Sequence, residues 1–291
     1  MDGILVETYG RGSVLAEGKT KIIRQAIDHP MMVIIESKDD ITAGDGARHD
    51  VIPGKGAYAA TTTCNVFRLF QACGIPVAFR EQIDATHFLA EKCGMLPYEV
   101  VVRREAHGSY LKRHPFLTKG HVFPKLIVEF FLKTSGRRWQ GHELPKDDPL
   151  IVFGQSIGLT RDLPCLYLPD KLVSQESFIF TLDDHPLQNR RVIFLEMDEI
   201  ARRAFLILEK AWQMIGRRLA DFKVACGFNW SYGTLLLADV VDNDSWRVIE
   251  GESYIDKQLY RDGASLNAVE QQYKHVAQLT QQFGIPWQVV V

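Results

Sequence analysis

No CxxC pair occurs in this chain, and its five cysteines (Cys64, Cys73, Cys93, Cys165 and Cys226) are odd in number and widely spaced. Neither a zinc site nor a disulfide framework is therefore expected, and reduced, mostly buried thiols are the plain reading. Long apolar runs are missing too: none approaches the ~18 residues of a membrane span. The N-terminus has no basic start followed by an apolar core, so no signal peptide is expected and the protein reads as soluble and cytoplasmic. Nor is charge of one sign in excess. The net charge of −2 argues against nucleic acid or an anionic membrane as partner. No internal repeat, low-complexity tract or flexible linker stands out. What remains is an ordinary globular composition, 46% hydrophobic and 24% charged over 291 residues, sufficient for one large domain or two lobes.

Residues 14–25 alternate around a Gly-Lys-Thr-Lys turn and predict a β-hairpin, with 31–37 as the next strand. Apolar residues at helical spacing (Cys64, Phe67, Leu69, Phe70) predict a helix over 57–73 that Gly74 stops. Residues 77–81 read as a short strand, 86–92 as a short helix, and 98–103 and 127–132 as strands. The first half is thus an α+β pattern, an antiparallel sheet with one main helix. Residues 134–191 have no clean period and read as a long, partly strand-forming excursion. Beyond them the pattern predicts a helix over 197–215, a hairpin pairing 222–225 with 234–241, and a closing helix from an N-cap at Ser265 to residue 283.

Four segments concentrate charge and small residues. Lys38-Asp39-Asp40-Ile41-Thr42-Ala43-Gly44-Asp45-Gly46-Ala47-Arg48 follows an apolar strand with three carboxylates among small-residue turns, a pattern expected to face a ligand. Gly18-Lys19-Thr20-Lys21 lies at a hairpin edge, where the glycine admits close backbone approach and a lysine can point at a phosphate. It is not a Walker loop, which needs a second spaced glycine and a following helix. Arg103, Gly108-Ser109 and Lys112-Arg113 would bring backbone N–H groups, a hydroxyl and cations to one point if a helix starts near Ser109, which suits a phosphomonoester. A capped helix with solvated basic residues is the plainer alternative. Asp239, Asp242 and Asp244 follow an apolar strand, a common way to hold Mg²⁺ bound to nucleotide phosphates, and a metal-free acidic turn is its alternative. His107 reads as a local hydrogen-bonding residue.

Several motifs follow one another in order: Glu17-Gly18-Lys19-Thr20-Lys21, Ile41-Thr42-Ala43-Gly44-Asp45-Gly46-Ala47-Arg48, and Leu96-Pro97-Tyr98-Glu99-Val100 with Arg103. Then come Gly108-Ser109-Tyr110-Leu111-Lys112-Arg113, Asp148-Pro149, Asp221-Phe222-Lys223 and Leu237-Ala238-Asp239. The last are Asp244-Ser245-Trp246-Arg247 and Asp256-Lys257 with Tyr260-Arg261. Together they resemble the SAICAR synthetase family over roughly residues 16–283. The resemblance implies a two-lobed α+β fold similar to protein kinases and ATP-grasp ligases. An N-terminal β-rich ATP-binding lobe would span 1–95, and a C-terminal α+β lobe with the ribonucleotide and metal site 96–291, working as one unit. The implied reaction joins aspartate to the carboxylate of an aminoimidazole ribonucleotide in de novo purine biosynthesis, with ATP and Mg²⁺, through an acyl phosphate. Small molecules are then the partners, and self-association is common in the family.

By family position, Gly18, Lys19 and Lys21 would hold ATP phosphates, and Met95 and Pro97 would line the adenine. Arg103, Ser109, Lys112 and Arg247 would bind the ribonucleotide, its phosphate above all. Asp45 would face the imidazole or amino-acid end. Lys223, Asp239 and Lys257 would organise nucleotide and magnesium, with Lys257 and Arg261 also touching substrate. Three departures stand out. The glutamate expected to share Mg²⁺ with Asp239 is Ala225, Ala60 stands where an asparagine is expected, and the usual Lys-Asp-Asp/Asn-Asp segment is Lys133-Thr134-Ser135. They leave open a diverged paralogue acting on another ribonucleotide carboxylate, as in nucleoside-antibiotic assembly, or a catalytically silent nucleotide-binding protein. A hydrolase or kinase-like transferase using the same pocket is the remaining reading.

Overall fold

Alternation at the start of the chain produces β1 (Arg11–Glu17) and β2 (Lys21–Ala26), closed by a turn in which the Gly18 N–H donates to the Lys21 carbonyl at 2.9 Å. The computed structural model describes residues 9–43, 47–134, 138–139, 141–153, 164–182 and 190–284. β3 (Met32–Ser37) pairs with β2, and β4 (Asp40–Ala43) with β5 (Arg48–Val51) forms a separate hairpin. Helix α1 (Lys55–Ala72), β6 (Phe79–Gln82) and β7 (His87–Glu91) follow. Among the described residues, five antiparallel strands form the first sheet in the order β1-β2-β3-β7-β6.

The helix expected over 86–92 is strand β7 instead. His87–Glu91 is buried at every position between β3 and β6, and a strand covered on both faces shows no two-residue alternation. Asp84, which resembles a helix N-cap, accepts from the Thr86 and His87 N–H groups, both at 2.9 Å, and shapes the turn before the strand.

The second sheet begins with β8 (Gly94–Met95), β9 (Tyr98–Glu105) and β10 (Val122–Leu132), with the single-turn helix α2 (Ser109–Arg113) between the last two. In the excursion, β11 (Arg138–Trp139) and β12 (His142–Glu143) form a hairpin. β13 (Leu150–Val152), β14 (Cys165–Tyr167) and β15 (Phe178–Thr181) extend the sheet edge beyond β10. Helix α3 (Arg190–Met214) starts before the expected residue 197. β16 (Arg218–Asn229), β17 (Thr234–Ala238), β18 (Trp246–Glu250), β19 (Ser253–Tyr254) and α4 (Gln258–Arg261) complete this part. α5 (Leu266–Thr280) closes the fold, and the Ser265 hydroxyl accepts from the Ala268 N–H as the expected N-cap.

β16 organises the molecule. Its first half lies between β9 and β18, and from Ala225 onward it pairs with β17 and β8. Its even positions turn toward α3: Phe222 meets Phe205 edge-on at 5.3 Å, while Tyr98 and Phe130 close on Phe194 at 4.7 and 5.0 Å. Trp212, fully buried, is wedged between Trp246 and Phe283. Each such ring contributes about 1.5–3 kcal/mol on burial. Because side chains alternate along a strand, the odd positions Glu99, Val101 and Arg103 of β9 and Asp221, Lys223 and Ala225 of β16 face the other way, into a groove. The two sheets meet where the Ala78 N–H donates to the Leu237 carbonyl at 2.8 Å and the Leu237 N–H to the Pro76 carbonyl at 2.9 Å.

Candidate active site

Three adjoining cavities line this groove. The first, about 490 Å³, is mostly apolar, walled by Ile23, Val33, Ile35, Phe88, Met95 and Pro97, with Lys21, Lys133 and Asp239 at one end. Those last three residues also line the second cavity, about 320 Å³, with Lys19, Ala225 and Lys257. The third, about 280 Å³, holds Arg103, Ser109, Lys112 and Arg247. Glu99, Lys223, Asp244, Ser245 and Arg261 belong to both the second and the third. Residues from Lys19 to Arg261 thus converge on one groove.

Charge is densest in the middle cavity. Lys21 pairs with Asp239, whose other carboxylate oxygen lies 4.0 Å from Lys133. Burial, with the like charge of Lys133 next in weight, pulls the Lys21 ammonium down to about 8. Lys223 donates to Glu99 at 3.2 Å. Burial would raise Glu99, yet Lys223 and Lys133 keep it below the ordinary glutamate value. Burial would likewise lower Lys223, and Glu99 holds it above the usual lysine value. Lys257 donates to Asp244 at 2.6 Å, and the Tyr273 hydroxyl donates to the other oxygen of Asp244. Against the upward pull of burial, Lys257 and Lys55 hold Asp244 at about 2. Asp239 itself has φ +74°, a left-handed conformation that aspartate tolerates and most side chains resist.

At the far end, Gly108 has φ +56° and ψ −130°, and a Cβ there would lie 2.5 Å from the Arg247 Nη2. Glycine therefore makes room for the guanidinium. Arg247 donates to Asp221 at 2.5 Å. Arg103 is only 3% exposed and is clasped by two carboxylates, Glu129 at 2.7 Å and Asp221 at 2.9 Å. It borders the cavity with its charge already matched, so it orients Asp221 and through it Arg247. Arg113 does not join the expected cluster. It is 1% exposed and binds Glu129 and the Pro169 carbonyl. α2 makes a single turn, so Ser109, Lys112 and Arg247 supply the site rather than an extended helix dipole. His107 is the local hydrogen-bonding residue expected, between Glu105 and Tyr254.

Of the three carboxylates in the acidic segment, two serve the fold. Asp39 accepts from the Gly54 and Gly56 N–H groups at 3.1 and 2.8 Å, tying down the start of α1. Asp40 pairs with His49 and Lys38. Asp45 lies outside the described residues. Glu99, Lys133 and Asp221 are site residues that sequence reasoning does not select. Glu99 has a signal, a carboxylate directly ahead of the three consecutive valines of β9. Lys133 follows the end of an apolar strand directly, a weaker one.

Whether the groove fits a protein-held magnesium ion depends on its donors. Mg²⁺ is usually held by one or two carboxylates together with phosphates and water. Here Asp239 is engaged by Lys21 and faces Lys133, Glu99 holds Lys223, and Asp244 holds Lys257. Ala225, opposite Ala238 in the β16–β17 ladder, contributes only a methyl group. Asp242, a candidate to compensate, is 6% exposed and accepts from the Asp244 N–H at 2.9 Å within its own turn. Burial, then the charge of Asp244, pushes its carboxyl toward the neutral form. Among the described residues no three His, Cys, Asp or Glu side chains gather as a metal-binding group. These residues do not fit a protein-held metal ion.

Comparison with known proteins points to one family. The sequence model of the SAICAR synthetase family matches residues 14–141 and 170–280. A phosphoribosylaminoimidazole-succinocarboxamide synthase of Chloroflexus aurantiacus is 37% identical over 281 residues, 94% of this chain and 98% of that protein. The bifunctional purine synthesis protein purC/E of Dictyostelium discoideum is 39% identical over 250 residues, 85% of this chain, which there spans only 22% of the longer protein. Among solved structures, a type-2 SAICAR synthetase in complex with ADP superposes with a TM-score of 0.70 at 27% identity, covering 92% of this chain and 97% of that one. Among the described residues no helix is long and apolar enough to cross a membrane.

Proposed function

The chain belongs to the SAICAR synthetase family, and from that premise we propose that it is an ATP-dependent ligase joining the amine of aspartate to the carboxylate of carboxyaminoimidazole ribonucleotide. The observation that carries this reading is the shared wall of the second and third cavities, which lets two phosphorylated molecules lie end to end. The solved relative with ADP supports a nucleotide in the groove. Met95 and Pro97 would take the base, Lys19 and Lys21 the phosphates with Gly18 in the turn beside them, and Ser109, Lys112 and Arg247 the ribonucleotide phosphate.

A carboxylate repels nucleophiles and has no leaving group. Attack of its oxygen on the γ-phosphorus of ATP releases ADP and forms an acyl phosphate. The aspartate nitrogen then attacks the carbonyl carbon, phosphate departs, and the nitrogen loses its proton. Catalysis of this kind rests on positioning and charge neutralisation. Lys223, at the junction of the cavities and held charged by Glu99, would face the reacting carboxylate and the transferred phosphoryl group. Lys257 and Arg261 would meet the carboxylates of aspartate, and Asp45 the imidazole or amino-acid end.

This reading carries a cytoplasmic, self-associating enzyme that acts on small molecules without nucleic acid. The paralogue and silent readings find no support in the relatives matched. Incubation with ATP, aspartate and the ribonucleotide should yield ADP and succinylated product in equal amounts. ATP binding without coupled product would contradict the proposal.

A further inference from the structure

We propose that lysine side chains, centred on Lys133, neutralise the nucleotide's phosphates in this groove without a carboxylate-held divalent cation, so that nucleotide affinity is independent of Mg²⁺. The inference rests on the nucleotide reading above and deepens it. Its basis is the set of charges around the middle cavity.

Six cations and three carboxylates line that cavity, and each carboxylate already holds a lysine: Asp239 with Lys21, Glu99 with Lys223, Asp244 with Lys257. The excess charge is positive. It complements a polyphosphate directly and disfavours a dication between protein and phosphates. Strand geometry shows how the balance arose. Positions 221, 223 and 225 of β16 share the groove face, and Ala225 lies opposite Ala238, next to Asp239. A carboxylate at 225 would have given Asp239 a partner for a metal; a methyl group leaves Asp239 to the ammonium groups.

Lys133 supplies the second of those ammonium groups. Its backbone N–H donates to the Pro97 carbonyl at 2.9 Å, which anchors it just past the end of β10. From there its Nζ reaches to 4.0 Å from Asp239, on the boundary between the apolar cavity and the lysine-lined one. A nucleotide seated in the apolar cavity would pass its phosphates between Lys133 and Lys21. Lys133 is 30% exposed, so its ammonium can turn from Asp239 to a phosphate oxygen without unfolding its surroundings.

The test is calorimetric titration of ADP into the full chain, once with excess Mg²⁺ and once with EDTA. The expected dissociation constants differ by less than about threefold, and Lys133→Gln weakens metal-free binding by about tenfold, the loss of one charge-assisted contact. A threefold or larger gain of affinity with Mg²⁺ in the wild type overturns the inference and leaves the nucleotide reading standing. ADP that binds under neither condition overturns the nucleotide reading itself. Unchanged metal-free affinity in Lys133→Gln, with an unchanged melting temperature, also overturns the inference. Ala225→Glu should lose metal-free affinity and become Mg²⁺-dependent, and a variant that folds yet binds like the wild type counts against the role given to position 225.

Discussion

Replacing Gly108 by alanine would separate the two duties of the loop before α2. The first is conformational: φ +56° with ψ −130° suits glycine, and an L-residue there costs about 1–3 kcal/mol. At roughly 2 cal/mol/K of unfolding entropy per residue, a chain of this length should lose about 2–5 °C in melting temperature. The second duty is spatial. The new Cβ would lie 2.5 Å from the Arg247 Nη2, so the guanidinium must withdraw from its place beside Ser109 and Asp221. If Arg247 binds the ribonucleotide phosphate, that withdrawal removes a charge-assisted contact of about 1.5–3 kcal/mol, which raises KM for the ribonucleotide by about ten- to a hundredfold. KM for ATP should stay within about twofold, because Lys21 and the apolar cavity lie at the opposite end of the groove. Steady-state kinetics with each substrate varied in turn, alongside a thermal melt, reads both effects. A variant that melts earlier but keeps its ribonucleotide KM would refute Arg247 as the phosphate ligand.

The remaining predictions concern charge. Lys21, brought down to about 8 by burial and by Lys133, must be protonated to bind phosphate, so ADP affinity should fall up to about tenfold per pH unit above pH 8. Lys21→Arg should flatten that profile to about pH 10, and a flat wild-type profile would contradict the role. Arg113→Met should cost about 3 kcal/mol in urea denaturation, because Glu129 is then left with Arg103 alone. Adding Glu129→Gln should recover part of the loss, and a double variant no more stable than the single one would argue against the pairing.

The sequence reveals periodicity and the presence of charge, and less of which charges meet. The hairpin at 11–26, helix α1 and the Ser265 cap follow from alternation, helical spacing and a hydroxyl ahead of an apolar stripe. β7 escapes because burial on both faces erases alternation. The groove residues carried by family position are legible wherever a motif spans them, including Lys21, Ser109, Asp239 and Arg247. Pairings across the fold are not. Arg103 finds Asp221 and Glu129, distant in sequence and adjacent in the sheet, and Asp39 is absorbed by the start of α1. Lys133 reads in the sequence as the lysine heading a segment whose expected acidic positions are Thr134 and Ser135, and only folding brings it to Asp239.

Activation of the carboxylate is the step that requires both substrates to meet in this groove. A ribonucleotide labelled with ¹⁸O in both carboxylate oxygens, turned over with ATP and aspartate, should pass one labelled oxygen to each inorganic phosphate formed, as mass spectrometry would read. Product formed with unlabelled phosphate would contradict phosphoryl transfer to the carboxylate, and with it the end-to-end arrangement of the two substrates in this groove.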